Sequence, residues 1–108
     1  MVIIIQLCGK KFCIALNSGT DALTLGLHAL GIRRNDEVIT TPFSFIATAE
    51  VIALLGAKPV YVDIDPQTFN IDATKLEAKI NEKSKAIIAV SLYGQPADFE
   101  KINNIAKK

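Results

Sequence analysis

The stretch Phe12–Gly31 reads FCIALNSGTDALTLGLHALG, and the order of its residue types sets the architecture. Phe12 to Leu16 is short, mostly apolar and carries β-favouring Phe12 and Ile14, which predicts a buried strand. The polar Asn17-Ser18-Gly19 behind it predicts a tight turn. From Thr20 to Leu30 the apolar side chains cover one wide arc at ~100° per residue, leaving Asp21, Thr24 and His28 on the remainder, so a largely buried helix is expected. Gly31 suits its C-terminal cap, and Arg33-Arg34-Asn35-Asp36 suits a solvated turn.

The same alternation continues outward. Glu37 to Thr41 predicts a second strand that ends at Pro42, which has no amide hydrogen for a ladder. Ile46 to Leu55 predicts a helix apolar on almost every side, and these residues alone would cover it with difficulty. Lys58 to Asp63 predicts a strand, Asp72 to Ile80 an amphipathic helix with Ala73, Leu76 and Ile80 inward, and Ala86 to Val90 a fourth strand. A final helix is expected over Asp98 to Ala106, with Phe99, Ile102 and Ile105 inward. Strands alternating with helices indicate an α/β layer, its sheet mostly parallel and covered on both faces.

Composition narrows the function classes. The chain has 108 residues, half of them hydrophobic, and 12 basic against 11 acidic residues. A packed core is therefore expected, organised as a single unit over residues 1–108. A net charge of +1 with no basic cluster gives no footprint for nucleic acid or an anionic membrane. The apolar run Val2-Ile3-Ile4-Ile5 is far below the ~20 residues of a membrane span. Cys8 and Cys13 fit neither a CxxC pair nor a zinc half-site, so free thiols in the cytoplasm are expected.

Chemistry concentrates at Asn17-Ser18-Gly19-Thr20-Asp21. A glycine between a strand and a helix lets backbone amides at the helix start face an anion, with a threonine hydroxyl and the helix dipole beside them. Ser18 or Thr20 equally serves as an ordinary helix cap. The phosphate signatures GxxxxGK[ST] and GxGxxG are both absent. Asp63 and Asp65 lie two apart, but Asp65-Pro66 is turn chemistry, and a structural role is the better reading. His28 has no partner at ligand spacing. Tyr93, Gly94 and Gln95 follow a strand, where α/β sheets place ligand contacts, and are candidate pocket-edge residues.

Four motifs occur in order: ALNSGTDAL (15–23), TTPFSFIATAEVI (40–52), GAKPVYVDIDPQTFNID (56–72) and LYGQPAD (92–98). Together they resemble the DegT/StrS family of nucleotide-sugar aminotransferases over roughly residues 9–108. The resemblance implies part of the large domain of a fold-type-I pyridoxal-phosphate enzyme. It further implies a homodimeric parent enzyme that moves an amino group, commonly from glutamate, onto a keto sugar linked to a nucleotide. It implies that Gly19, Thr20 and Asp21 sit at the cofactor phosphate, and that Phe45 stacks on the pyridine ring. An aromatic face suits that role through dispersion and offset stacking. Core packing beside Phe43 is the plainer alternative for Phe45.

The resemblance has departures. Ser91 stands where many members carry histidine, and Met1 to Leu7 does not resemble the charged helix that normally precedes the first motif. Pyridoxal chemistry needs a lysine to hold the cofactor and move protons, and a carboxylate opposite the ring nitrogen. Neither the lysine motif nor the acidic motif of the family has a counterpart in these residues. The expectation is thus a partial, PLP-binding large-domain unit, inactive alone, with an atypical start over 1–8. The alternatives are a small α/β module that binds a phosphorylated ligand, and a non-functional gene remnant.

Overall fold

A computed structural model describes residues 6–108. The apolar run Val2 to Ile5 lies outside the described residues. Helix α1 spans Gly19–Ala29, strand β1 Glu37–Thr40, helix α2 Ala47–Leu54, strand β2 Lys58–Tyr61, strand β3 Ser84–Ile87 and helix α3 Phe99–Ala106. Short 3₁₀ turns lie at Ala73–Lys75, Glu77–Lys79 and Leu92–Gly94.

The strands form a parallel sheet of order β2-β1-β3, as the alternating pattern predicts. β1 is central and buried at all four positions. Successive side chains of a strand point to opposite faces, so β1 feeds two cores. Val38 packs with Leu27, Val51, Ile52 and Ala57 on the side of α1 and α2. Ile39 packs with Val62, Ile71, Leu76 and Ile102 on the side of the 3₁₀ turns and α3. Both faces of the sheet are therefore covered.

Turn chemistry at the junctions follows the sequence. Gly31 has φ +74 and its amide donates to the His28 carbonyl, closing α1. Asn35, at φ 73, carries the turn into β1, and the Asp36 carboxylate accepts from the Arg33 amide. Asp65 Oδ1 accepts from the amides of Gln67 (2.7 Å) and Thr68 (3.2 Å), so its carboxylate is spent on a turn. At the base of the sheet, Glu37 accepts from Asn81 Nδ2 (2.7 Å) and Lys58 Nζ (3.2 Å), its cross-strand partner.

Several expectations are corrected. Phe12 to Leu16 forms no strand, and Phe12 and Ile14 are 83% and 81% exposed. The segment finds no ladder partner among the described residues, and a lone extended segment must leave its amides to water. α1 is not largely buried: Leu27 is, whereas Leu25 and Leu30 face solvent, because one side alone meets α2. α2 likewise buries Ala47, Thr48, Val51 and Ile52 and exposes Ile46 and Leu54.

The predicted helix Asp72–Ile80 is instead two 3₁₀ turns around buried Leu76. Lys75, Lys79 and Ile80 each donate to the carbonyl three residues back. So short a segment gains few α-type bonds against its nucleation cost, and the tighter turn is the usual outcome. Ala73 and Leu76 do point inward, while Ile80 is 40% exposed. β2 stops at Tyr61, and β3 starts at Ser84 and stops at Ile87, earlier than the predicted Ala86 to Val90. The ladder with four-residue β1 fixes those limits, not the apolar run itself.

Candidate functional site

Ser18 is the N-cap of α1, its backbone extended at φ −155 and ψ 164. Its hydroxyl accepts from the Asp21 amide at 3.1 Å, and its carbonyl accepts from the Ala22 amide at 3.1 Å. A helix leaves its first amides without intrahelical partners. Here the amides of Gly19 and Thr20 find no acceptor among the described residues. A Cβ built at Gly19 would meet no atom within 4 Å, so the space beside that peptide is open. Capping by Ser18 and an amide pair free for an anion therefore coexist in one turn.

A cavity of about 510 Å³ lies against this helix start. Gly19, Thr20 and Leu23 form one side, Ser44 and Phe45 of the β1–α2 loop a second, and Ile88 to Val90 after β3 a third. It opens at the carboxyl ends of β1 and β3, where parallel α/β sheets place ligands. Local bonds set the walls: Thr40 Oγ1 donates to the Ile88 carbonyl at 3.0 Å, and the Ser44 and Thr48 hydroxyls pair at 3.2 Å. Phe45 is 75% exposed, which excludes core packing beside Phe43 and leaves its ring available at the cavity.

Of the four residues expected at the site, the cavity gathers Gly19, Thr20 and Phe45. Asp21 instead lines a separate hollow with Leu16, Asn17, Thr24 and Leu25, and its amide is engaged by Ser18. Among the described residues, no ionisable side chain lines the cavity. The arrangement offers two amide donors, a threonine hydroxyl, the positive end of an 11-residue helix and an aromatic face. That set suits a flat ring bearing an anionic tail. It contains no group able to take or give a proton at neutral pH.

Two features escaped the sequence. Asn70 is 4% exposed, and its Nδ2 donates to the carbonyls of Gln95 (3.0 Å) and Pro96 (3.2 Å) while its Oδ1 accepts from the Leu92 amide (2.9 Å). Its partners lie 22–26 residues away, beyond any local pattern. The second is a row of rings, Phe43, Phe69 and Tyr93, of which Phe43 and Tyr93 line a hollow that shares Ser44 with the cavity. Tyr93 itself was legible as a pocket-edge residue.

The sequence profile of the DegT/DnrJ/EryC1/StrS aminotransferase family matches residues 4–108. A UDP-2-acetamido-2-deoxy-3-oxo-D-glucuronate aminotransferase of Pseudomonas aeruginosa is 61% identical over 100 residues, 93% of this chain and 28% of that protein. A pleiotropic regulatory protein of Geobacillus stearothermophilus is 57% identical over 98 residues, 91% of this chain and 26% of that protein. The crystal structure of NtdA from Bacillus subtilis with bound cofactor PMP superposes with a TM-score of 0.93 at 43% identity, covering 98% of this chain and 24% of that one. The chain thus spans about a quarter of the length of these relatives. Its parallel sheet and flanking helices are part of the large domain of a pyridoxal-phosphate-dependent aminotransferase fold, and the chain belongs to the DegT/DnrJ/EryC1/StrS aminotransferase family.

Proposed function

We propose that the chain forms the cofactor-binding wall of a cytoplasmic pyridoxal-phosphate-dependent aminotransferase, whose acceptor is a nucleotide-linked keto sugar and whose donor is an amino acid such as glutamate. The observation that carries this reading is the meeting of the unpaired Gly19 and Thr20 amides with the exposed Phe45 ring on one cavity. When bound, pyridoxal phosphate supplies a carbonyl that carries the amino group and a ring that withdraws electrons. The two amides and the Thr20 hydroxyl receive its phosphate, and Phe45 covers one face of its ring. Asp21 acts through its backbone: the bond to Ser18 Oγ fixes the turn so that the two preceding amides face the cavity.

The acceptor class is supported by the Pseudomonas aeruginosa relative, a UDP-2-acetamido-2-deoxy-3-oxo-D-glucuronate aminotransferase. Among the described residues no lysine and no carboxylate lines the cavity, so these residues bind and orient without moving protons. On this reading the chain by itself is inactive, and the homodimeric whole enzyme completes the site with groups from beyond this wall.

Calorimetric titration of the chain with pyridoxal phosphate tests the wall. Thr20→Val and Phe45→Ala are each expected to weaken binding about 3- to 10-fold, the loss of one hydrogen bond or one stacking face. Variants that bind as the parent chain does contradict the assignment. Incubation with the cofactor and glutamate is expected to release no 2-oxoglutarate; steady release overturns the inactivity.

A further inference from the structure

Two residues other than glycine hold left-handed backbone conformations on either side of the Asn70 carboxamide: Phe69 at φ 60 and Tyr93 at φ 54. A bulky residue there is strained, and such strain concentrates at functional sites. Glycine tolerates the conformation freely, and Gly94, at φ 81, shows the loop using one next door. A tyrosine at the adjacent position, where glycine would be unstrained, points to a use for its ring.

The loop that carries Tyr93 is pinned at its base. Asn70 spends both amide hydrogens on the Gln95 and Pro96 carbonyls and its oxygen on the Leu92 amide. Ser91 Oγ accepts from the Ala97 amide at 3.3 Å and closes the loop a second time. This clamp fixes the row of rings: Phe43 stacks on Phe69 at 6.0 Å between centroids, and Tyr93 meets Phe69 edge-on at 6.5 Å. Tyr93 is nonetheless 83% exposed, so the clamp positions it without burying it.

Tyr93, Phe43 and Ser44 line a hollow of about 260 Å³, and Ser44 also lines the cofactor cavity, so the two spaces share a wall. Transamination brings the reacting carbons of donor and acceptor in turn within bonding reach of the cofactor, so a substrate group enters the adjoining hollow. With no cation among the described residues lining it, the hollow suits the sugar better than the donor's carboxylates. Among the described residues no lysine or arginine lines the hollow, which makes it unsuited to a diphosphate. Aromatic faces with two hydroxyls, those of Ser44 and Tyr93, match a pyranose, which presents C–H faces and hydroxyl edges. We propose that Tyr93 contacts the acceptor's sugar ring and that Asn70 is its positioning residue, clamping the 91–97 loop so that Tyr93 stands beside the cofactor cavity. This inference rests on the aminotransferase reading above.

The test is an amide-shift titration of the ¹⁵N-labelled chain, first with pyridoxal phosphate, then with UDP-N-acetylglucosamine as probe and UMP as control. The nucleotide sugar is expected to move the amides of Phe43, Leu92, Tyr93 and Gly94, and UMP is not. Tyr93→Gly should weaken the probe response at least tenfold while the melting temperature stays equal or rises, a combination that a merely structural tyrosine would not give. Asn70→Ala should weaken the response similarly and speed exchange of the Leu92 amide. Asn70→Asp keeps the acceptor for Leu92 but loses both donors and faces the Gln95 and Pro96 carbonyls with a carboxylate, so it should not restore the response.

An unchanged probe response in Tyr93→Gly overturns the contact, as does an equal response to UMP or none to the nucleotide sugar. An unchanged response in Asn70→Ala overturns the positioning role. If pyridoxal phosphate leaves Gly19 and Thr20 unmoved while Tyr93 responds to the nucleotide sugar, the cofactor reading fails and the sugar contact stands.

Discussion

Phe12 to Leu16 and β1 make an instructive pair. The first reads FCIAL and is the more apolar, yet Phe12 and Ile14 lie open to solvent. The second reads EVIT over Glu37–Thr40, contains a carboxylate and a hydroxyl, and is buried at every position. The difference lies in partners. β1 has a parallel strand on each side and a layer on each face, whereas Phe12 to Leu16 has no ladder among the described residues. Hydrophobicity supplies a drive to be buried, and pairing decides whether that drive is met.

The sharpest way to break this comparison is to remove the same side chain from both regions. Ile39→Ala is expected to cost about 2–5 kcal/mol in urea unfolding, since Ile39 is fully buried and links β1 to Leu76 and Ile102. Ile14→Ala is expected to stay within about 0.5 kcal/mol, as for an exposed position. Equal losses would mean that the first segment is as well packed as the sheet.

Helix caps sharpen it further. Ser18 caps α1 and Asp98 caps α3, each accepting an amide at 3.1 Å. Either cap removed by alanine should cost about 1 kcal/mol of local helix stability. Each helix drives one side chain into a core, Leu27 from α1 and Ile102 from α3, so Ser18→Ala and Asp98→Ala should lower the unfolding midpoint to a similar small extent. Each should also speed amide exchange in the first turn of its own helix.

The smallest effect concerns pH. The Asn81 hydrogen bond, then Lys58, holds the Glu37 carboxyl below its ordinary 4.5. The Thr74 hydroxyl holds Asp72 below its ordinary 3.8, with Lys75 adding to it. A depressed value in the folded state gives stability that is complete above the ordinary value and is lost as pH falls through the lowered one. Stability should therefore fall below about pH 4.5, and Glu37→Gln should flatten the upper part of that fall. An acid limb that Glu37→Gln leaves unchanged contradicts the role of the Asn81 bond.

Much of this was legible because it is local. The Gly31 cap, the Asp36 and Asp65 turns and the α2 boundaries depend on residues a few places apart. The parallel sheet was legible from alternation, and the ordered motifs pointed to Gly19, Thr20 and Phe45, which line one cavity. The failures are tertiary. Leu25 and Leu30 stay exposed because α1 packs on one side only, and nothing in the helical period announces a missing neighbour. Asn70 carries no local signal, since its three bonds reach across a loop far along the chain. Asp21, set beside Gly19 and Thr20 by the family motif, holds its amide in the same turn on Ser18 Oγ while its side chain lines another hollow.

The central claim is that the turn from Asn17 into α1 binds a phosphate through the free amides of Gly19 and Thr20. Thermal unfolding with pyridoxal phosphate, set against pyridoxal lacking the phosphate, tests it most directly. A ligand at a hundred times its Kd adds about 2.7 kcal/mol, several degrees or more in Tm for a chain of this size. The expected result is such a rise with pyridoxal phosphate and a far smaller one with pyridoxal; equal rises, or none with either, would contradict it.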